Sequence, residues 1–290
     1  MADPLVDAEW LVAHHRDPEL VVLDATALLA VAQFDHDYRV ESGRRGWLTG
    51  HVPGALHADL LDGPLSDQSS PRHYTRPSAS DAARELERLG VGDNCRVVTY
   101  DRVEGNWAAR LWSMLRWLGV DAQVLNGGWE AWRAAGGPVA MGDADERRVS
   151  RGSLTVRERP GLWADRGDVE AALTGERPGT ALVCALTAGV FSGEAPSRYT
   201  RRGHIPGSAN LPAGDLLDAE GHQLDLDALG ERVTAALGEP ERVVLYCGGG
   251  ISASADALAL TRLGIEDVAV YDGSLEEWSA DTALPLDLGR

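Results

Sequence analysis

The stretch Val243-Val244-Leu245-Tyr246-Cys247-Gly248-Gly249-Gly250-Ile251-Ser252 decides the fold prediction. Its apolar first half predicts a short buried strand, and the alanine-rich residues that follow, as far as Leu263, predict a helix. Three consecutive glycines lie between the two elements, directly after Cys247. Glycine is costly in regular structure, so such a run is typical of backbone that takes unusual dihedral angles or closely approaches a ligand.

Backbone N–H groups in a strand–loop–helix turn converge on whatever lies at its centre. That environment favours a thiolate over a thiol, and the thiolate is the nucleophilic form of cysteine. We therefore predict a reactive, anionic Cys247 sulfur. The loop residues predicted to hold it are Gly248, Gly249, Gly250, Ile251 and Ser252. The alternative is that Cys247 is a small buried hydrophobe at the end of a strand.

Two halves of the chain repeat the same motifs in the same order. Arg96–Asp101 parallels Arg242–Cys247, and each segment is followed by a helical pattern that ends in Leu-Gly. Further pairs are Gly50-His51-Val52-Pro53-Gly54 with Gly203-His204-Ile205-Pro206-Gly207, and Asn126-Gly127-Gly128-Trp129 with Asp272-Gly273-Ser274…Trp278. The chain is therefore predicted to hold two copies of one unit, over 1–140 and 156–290, joined by a linker at 141–155.

Short β-branched runs alternate with amphipathic helical patterns in both copies, which predicts an α/β fold with a central parallel sheet flanked by helices. Ligands on such sheets gather at the carboxyl ends of the strands, where Cys247 lies. The tryptophans at helical spacing are read as core. The predicted strands are Leu20–Asp24, Arg96–Tyr100, Ala122–Leu125, Ala181–Ala185, Arg242–Tyr246 and Asp267–Tyr271.

A dinucleotide site is an alternative for the glycine loop. Gly248–Ala253 fits G-x-G-x-x-A after a strand, and Asp272 follows the next apolar run. Two observations disfavour this alternative. The first copy has Asp101–Asn106 where the glycines would be needed, and the loop lies deep inside its copy rather than at the start of a βαβ unit. A Cys-x5-Arg phosphatase loop is disfavoured because Ala253 stands at the arginine position.

Composition restricts the function further. The 290 residues carry a net charge of −18, which argues against nucleic acid or an anionic membrane as a partner. The three cysteines, Cys95, Cys184 and Cys247, show no C-x-x-C spacing, so neither a disulfide framework nor a metal site is expected. No stretch resembles a signal peptide or a membrane span, and a cytoplasmic location is expected.

With these motifs in this order, nearly the whole chain resembles the tandem rhodanese-like sulfurtransferases, which act on thiosulfate or 3-mercaptopyruvate. The resemblance implies two rhodanese-like domains, the first inactive with Asp101 at the cysteine position and the second catalytic with Cys247. It also implies a persulfide on Cys247, a small-molecule sulfur donor, no cofactor, and an acceptor such as cyanide, a small thiol or thioredoxin.

Within that family the loop is similar to the Cys-Gly-Ser-Gly-Val-Thr pattern of the 3-mercaptopyruvate branch. Gly249 replaces its serine, and Ser252 keeps the hydroxyl of its threonine. Of the arginines that bind the donor, the resemblance retains Arg198 and loses the one at Val190. It also implies that His73 faces the active cysteine, with Asp59 or Asp62 orienting it. Because His51 and His204 recur in both copies, we expect them to be structural.

A non-enzymatic function remains open from the sequence alone. A persulfide carrier or a redox-sensing binding protein would also need a reactive Cys247. The replacement of serine by Gly249 and of arginine by Val190 counts slightly in favour of this alternative. Catalytic cycling with a sulfur donor separates the enzyme from the carrier.

Overall fold

The computed structural model describes residues 3–143 and 152–289. These residues form two compact units. The first comprises 3–28, 41–143, 152–159 and 219–222. The second comprises 29–40, 160–218 and 223–289. The segment 29–40, although early in the chain, thus belongs to the second unit. The domain boundaries proposed from the sequence remain a prediction.

The first unit is built on a five-stranded parallel sheet in the order β1-β7-β6-β2-β5. Its central strands are mostly buried and largely apolar, as expected for a sheet covered on both faces. The strands are β1 Leu5–Val6, β2 Leu20–Asp24, β5 Leu56–His57, β6 Arg96–Tyr100 and β7 Ala122–Leu125. A separate two-stranded sheet pairs β3 Ala27–Leu29 with β4 Val40–Ser42.

The second unit repeats this sheet strand for strand, in the order β8-β12-β11-β9-β10. All its pairings are parallel, and Tyr246 stands opposite Cys184 in the register. The strands are β8 Trp163–Ala164, β9 Thr180–Cys184, β10 Ala209–Asn210, β11 Arg242–Tyr246 and β12 Val268–Tyr271. The central strand β11 therefore delivers Cys247 to the carboxyl edge of the sheet, as predicted.

Helices connect the strands in both units. Those of the first unit are α1 Ala8–His14, α2 Arg44–Thr49, α3 Ala79–Arg88, α4 Asn106–Trp117 and α5 Gly128–Ala134. Those of the second unit are α6 Arg166–Leu173, α7 Ala188–Phe191, α8 Leu226–Leu237, α9 Ile251–Arg262 and α10 Ser274–Ala280. Single 3-10 turns cover Pro160–Leu162 and Ala213–Leu216. None of the described helices has the length and apolar character needed to cross a bilayer.

The repeated histidines are structural, as expected. His51 stacks on Trp47 with ring centroids 4.5 Å apart, and its Nδ1 lies 2.8 Å from the Trp47 carbonyl oxygen. His204 stacks in the same way on Phe191, at 3.7 Å, with Nδ1 2.9 Å from the Phe191 carbonyl oxygen. Both rings are buried and fix the turn before the Pro-Gly pair.

The predicted linker 141–155 lies partly outside the described residues, which omit 144–151. Its described end runs along the first unit. The Gly152 N–H donates to the Glu87 carbonyl at 2.8 Å, and the Thr155 N–H and hydroxyl both donate to the Asp93 carboxylate, at 2.9 and 2.6 Å. Residues 152–155 are therefore held within the first unit by both backbone and side-chain hydrogen bonds.

Helix α9 carries an acidic residue in the apolar interior of the second unit. Asp256 is fully buried, and neither carboxyl oxygen has a hydrogen-bond partner among the residues that the structure describes. Burial alone raises the pKa of this carboxyl well above its usual value. An unpartnered buried carboxyl lowers the stability of the fold, and more so when it is ionised.

We expect Asp256→Ala to raise the free energy of unfolding by about 1–3 kcal/mol at pH 8, because the replacement removes an unpartnered carboxyl from the interior. A raised pKa in the folded state means that the folded protein retains a proton that the unfolded chain releases. The stability of the wild type should therefore fall as pH rises above about 4, and the gain in Asp256→Ala should shrink towards pH 5.

Urea denaturation of wild type, Asp256→Ala and Asp256→Asn at pH 5 and pH 8 measures this effect. The asparagine variant keeps the size and polarity of the side chain but cannot ionise. Its free energy of unfolding should therefore exceed that of the wild type by less than in Asp256→Ala, and only at pH 8. A lower stability of Asp256→Ala at both pH values would mean that the carboxyl contributes to the fold through a contact of its own.

Candidate active site

The Cys247 loop lies between the end of β11 and the start of α9. Gly250 caps the helix in the left-handed region, with φ of 78°, a conformation that glycine adopts at little cost. The Ser254 hydroxyl donates to the Gly250 carbonyl at 2.7 Å and fixes the first helical turn. The loop is therefore rigidly joined to its helix, and the N-terminal end of α9 points at residues 247–250.

A second helix N-terminus, that of α10, holds the loop from another side. The Cys247 N–H donates to the Ser274 hydroxyl at 3.2 Å. The Leu275 N–H donates to the Cys247 carbonyl and the Glu276 N–H to the Gly248 carbonyl, both at 3.0 Å. The repeated Asp/Asn-Gly-Gly/Ser motif therefore clamps the cysteine loop, a role that its recurrence alone did not reveal.

The remaining amides of the loop are unused by the protein. Among the described residues, the backbone N–H groups of 249–253 donate to no protein acceptor. Amides at the start of a helix lack intrahelical partners, and they carry the positive end of the helix dipole. Such a loop binds an anion.

The first unit shows directly what such a loop does with an anion. There Asp101 follows β6 as Cys247 follows β11, and it is buried. One carboxylate oxygen accepts the N–H groups of Val103 and Gly105, at 2.8 and 2.9 Å, and the other accepts that of Ala108 at 2.9 Å. Burial raises the pKa of Asp101 to about 6 against the effect of these amides. In the first unit the anion is thus part of the chain.

Tyr199 is a site residue that the sequence prediction missed. A side chain on Gly248 would collide with its hydroxyl oxygen, so the phenol lies directly against the backbone of the loop. Burial raises the pKa of Tyr199, and the nearby charge of Cys247 is the second cause. No motif marks this residue in the sequence, because its place depends on the loop 192–203, which has no regular periodicity.

The cysteines differ sharply in environment. Cys247 is 2% exposed, which is less than a position at the loop mouth predicts, because the α10 clamp and Tyr199 pack around it. Cys184 is fully buried, and burial raises its pKa to about 12, so it remains a thiol.

Within residues 3–143 and 152–289, no cluster of three or more His, Cys, Asp or Glu side chains could hold a metal ion.

Comparison with known proteins assigns the family. The Rhodanese-like domain family matches residues 7–135 and 189–281. The chain belongs to the rhodanese-like family. Its repeated sheets and its two strand–loop–helix turns are thus two occurrences of the rhodanese-like unit, one ending its central strand in Asp101 and the other in Cys247.

Rhodanese-like relatives match this chain over nearly its whole length. The 3-mercaptopyruvate sulfurtransferase of Escherichia coli K12 is 32% identical over 290 residues, covering 97% of both chains. Thiosulfate/3-mercaptopyruvate sulfurtransferase 1 of Arabidopsis thaliana is 31% identical over 312 residues, covering 99% of this chain and 78% of the relative. The human 3-mercaptopyruvate sulfurtransferase is 31% identical, covering 94% and 91% of the two chains.

Solved structures agree with this assignment. SseA of Escherichia coli, whose crystal structure is described as a rhodanese fold, superposes with a TM-score of 0.79 at 29% identity, over 94% of this chain and 99% of that one. The crystal structure of YnjE superposes with a TM-score of 0.80 at 24% identity, over 99% of this chain and 68% of that one, and shows the shared fold alone.

Arg198, the predicted donor anchor of this rhodanese-like chain, lies next to Tyr199 in the second unit. One terminal nitrogen donates to the Ala30 carbonyl in the segment 29–40, while its Nε has no partner among the described residues. The guanidinium is thus fixed by one terminal nitrogen, and its Nε remains without a hydrogen-bond partner among those residues.

His73 lies in the first unit, its ring centroid 5.7 Å from that of Tyr74. Its predicted place beside Cys247 remains a prediction, as does the orienting role of Asp59.

We expect Gly248→Ala to lower the free energy of unfolding by about 1–3 kcal/mol, because a Cβ at this position overlaps the Tyr199 phenol and forces it to move. Removing the ring should relieve the overlap. Tyr199→Ala should therefore lower the free energy of unfolding less in the Gly248→Ala background than in the wild type. Denaturation of the two single variants and the double variant measures this coupling.

Gly214→Ala is the matched control in the same unit, because a Cβ there meets no atom within 4 Å. It should leave the stability near that of the wild type. Equal costs for Gly248→Ala and Gly214→Ala would show that the phenol does not lie against the loop.

Proposed function

We propose that this chain is a sulfurtransferase that carries sulfane sulfur as a persulfide on Cys247. One observation carries the proposal: a cysteine stands where the paired loop of the first unit places an amide-bound carboxylate. A persulfide anion on Cys247 would bring its negative charge to the same relative position. The unused N–H groups of residues 249–253 are the donors available to it.

The first half-reaction forms an S–S bond. With 3-mercaptopyruvate, the Cys247 thiolate attacks the donor sulfur, the C–S bond breaks, and its electron pair leaves with carbon as the enolate of pyruvate. The enolate takes up a proton to give pyruvate. With thiosulfate, the thiolate attacks the outer sulfur, and the S–S bond breaks with its electron pair on the leaving sulfite. Both routes leave the same Cys247 persulfide, and no cofactor is needed.

The second half-reaction releases the sulfur. A nucleophile such as cyanide, a small thiol or a thioredoxin thiolate attacks the outer sulfur, and the S–S bond to Cys247 breaks with its electron pair on Cys247. The enzyme thiolate is thereby regenerated, and the two half-reactions give ping-pong kinetics. A reducing compartment such as the cytoplasm would supply thiol acceptors and keep Cys247 free of disulfides.

The loop favours 3-mercaptopyruvate as the donor. Within the family, thiosulfate-preferring enzymes usually carry basic side chains in the loop after the cysteine. Position 248 has no room for one, because Tyr199 occupies that space. The relatives matched over their full length include 3-mercaptopyruvate sulfurtransferases of Escherichia coli and human. In this proposal the Arg198 guanidinium binds the carboxylate of the substrate, and His73 remains a predicted site residue.

The proposal predicts that Cys247→Ser abolishes sulfur transfer, by at least about a thousandfold, because serine cannot form the covalent intermediate. Intact-protein mass spectrometry of the wild type after donor treatment should show an adduct of one sulfur, about 32 daltons, which peptide mapping places on Cys247. Adding cyanide or a thiol should remove the adduct, and cycling should continue at a steady rate.

Cys95→Ser is the matched control, since the Cys95 side chain is half-buried and, among the described residues, exchanges hydrogen bonds only with the backbone of Gly92. It should keep both the adduct and the steady rate. An adduct that forms once without cycling would identify a persulfide carrier rather than an enzyme. Wild-type turnover by Cys247→Ser would overturn the proposal. A comparison of kcat/KM for 3-mercaptopyruvate and thiosulfate tests the donor preference.

A further inference from the structure

The cysteine loop lacks a hydroxyl side chain of its own before Ser252, since residues 248–251 are three glycines and an isoleucine. The Tyr199 phenol supplies one from outside the loop. A Cβ built on Gly248 would collide with the Tyr199 hydroxyl oxygen and would also lie 2.9 Å from its Cε1. The hydroxyl therefore lies directly against Gly248, the residue that follows Cys247.

The Tyr199 hydroxyl donates to no acceptor among the described residues, although the ring is half-buried and packs against the core of the second unit. The ionisable groups whose charges act on it are Cys247, Arg198, Glu276 and Cys184. Because burial raises the pKa of Tyr199, the phenol keeps its proton at neutral pH and is able to donate a hydrogen bond.

The segment 29–40 fixes the backbone that carries Tyr199. The Asp35 carboxylate accepts the Ser197 N–H at 3.0 Å, and the His36 N–H donates to the Ser197 carbonyl at 2.8 Å. Asp35 also binds Arg202 with both carboxylate oxygens, at 2.9 Å each. The Ser197 hydroxyl in turn accepts the Tyr199 N–H at 3.1 Å. Tyr199 is therefore held from both sides, by 197 and by 202.

We propose that the Tyr199 hydroxyl is a catalytic hydrogen-bond donor to the sulfur carried by Cys247, and that Asp35 is a positioning residue that acts through it. The inference rests on the proposed function. It adds a side-chain donor to the backbone donors of residues 249–253, on the side of the loop that faces Gly248. The phenol keeps its proton throughout, so the bonds made and broken are those of the two half-reactions above.

The physical reason for such a donor is the charge on sulfur. The persulfide anion carries its negative charge on the outer sulfur, in a site where Cys247 is 2% exposed and water is largely excluded. A fixed donor stabilises charge more strongly there than in water. Gly248 has to be glycine for the phenol to reach this place, which accounts for the first of the three glycines.

Tyr199→Phe tests the donor without disturbing the packing. Because the hydroxyl has no hydrogen-bond partner within the described part of the chain, its loss should leave the midpoint of thermal unfolding nearly unchanged. In single turnover, the rate at which the one-sulfur adduct forms on Cys247 should fall about tenfold to a hundredfold, as for the removal of one hydrogen bond to a developing charge. The KM for the donor should change less than about threefold, since the hydroxyl acts on the reacting sulfur.

Tyr199→Leu separates the hydroxyl from the ring, since it removes both. If Phe forms the adduct at the wild-type rate while Leu is impaired, Tyr199 only packs against the loop, and the inference is wrong. If the wild type forms no adduct on Cys247, the proposed function fails instead. The two failures are thus distinguishable in the same experiment.

Asp35→Ala tests the positioning role, with Glu85→Ala as the matched control. Glu85 also binds an arginine, Arg88, with both carboxylate oxygens, at 2.9 and 2.7 Å, but on α3 of the first unit. We expect Asp35→Ala to slow adduct formation severalfold in the wild type and not at all in Tyr199→Phe, because it acts through the hydroxyl. Equal slowing in both backgrounds would overturn the positioning role.

Discussion

The convergence of backbone amides at the carboxyl end of a central parallel strand is the constraint on which the rest of this structure depends. The first turn of a helix leaves N–H groups without partners, and the strand delivers one side chain into their midst. That side chain has to bring a negative charge or an acceptor. In the first unit it is Asp101, which accepts three of the amides, and in the second unit it is Cys247.

The duplication makes the two loops a comparison within one molecule. Both sheets have the same strand order. In both units a residue in the first turn of a later helix, α5 or α10, donates its N–H to the loop carbonyl: Trp129 to Asp101 and Leu275 to Cys247. The scaffold is therefore common, and the two loops differ in the side chain that follows the central strand. Asp101 closes its loop with an anion that cannot leave, whereas the proposed function has sulfur gained and lost at Cys247.

The sequence predicted the central strands and the position of Cys247 well, because short apolar runs rich in valine and bounded by polar residues or glycines have few alternative structures. The end of β9 was displaced by one residue, and two-residue edge strands such as Leu56–His57 were missed, because so short a run has no periodicity. Tyr199 and the 29–40 segment were also missed. Their roles arise from residues far apart in the chain, such as Asp35 and Arg202, which no local pattern connects.

The most direct test of the amide cradle is a crystal structure of the wild-type protein treated with a sulfur donor. The account predicts a second sulfur on Cys247, within hydrogen-bonding distance of several backbone nitrogens of residues 249–253. The arrangement should match that of the Asp101 carboxylate in the first unit. A persulfide that points away from these nitrogens, or sulfur bound at Cys95 or Cys184 instead, would contradict it.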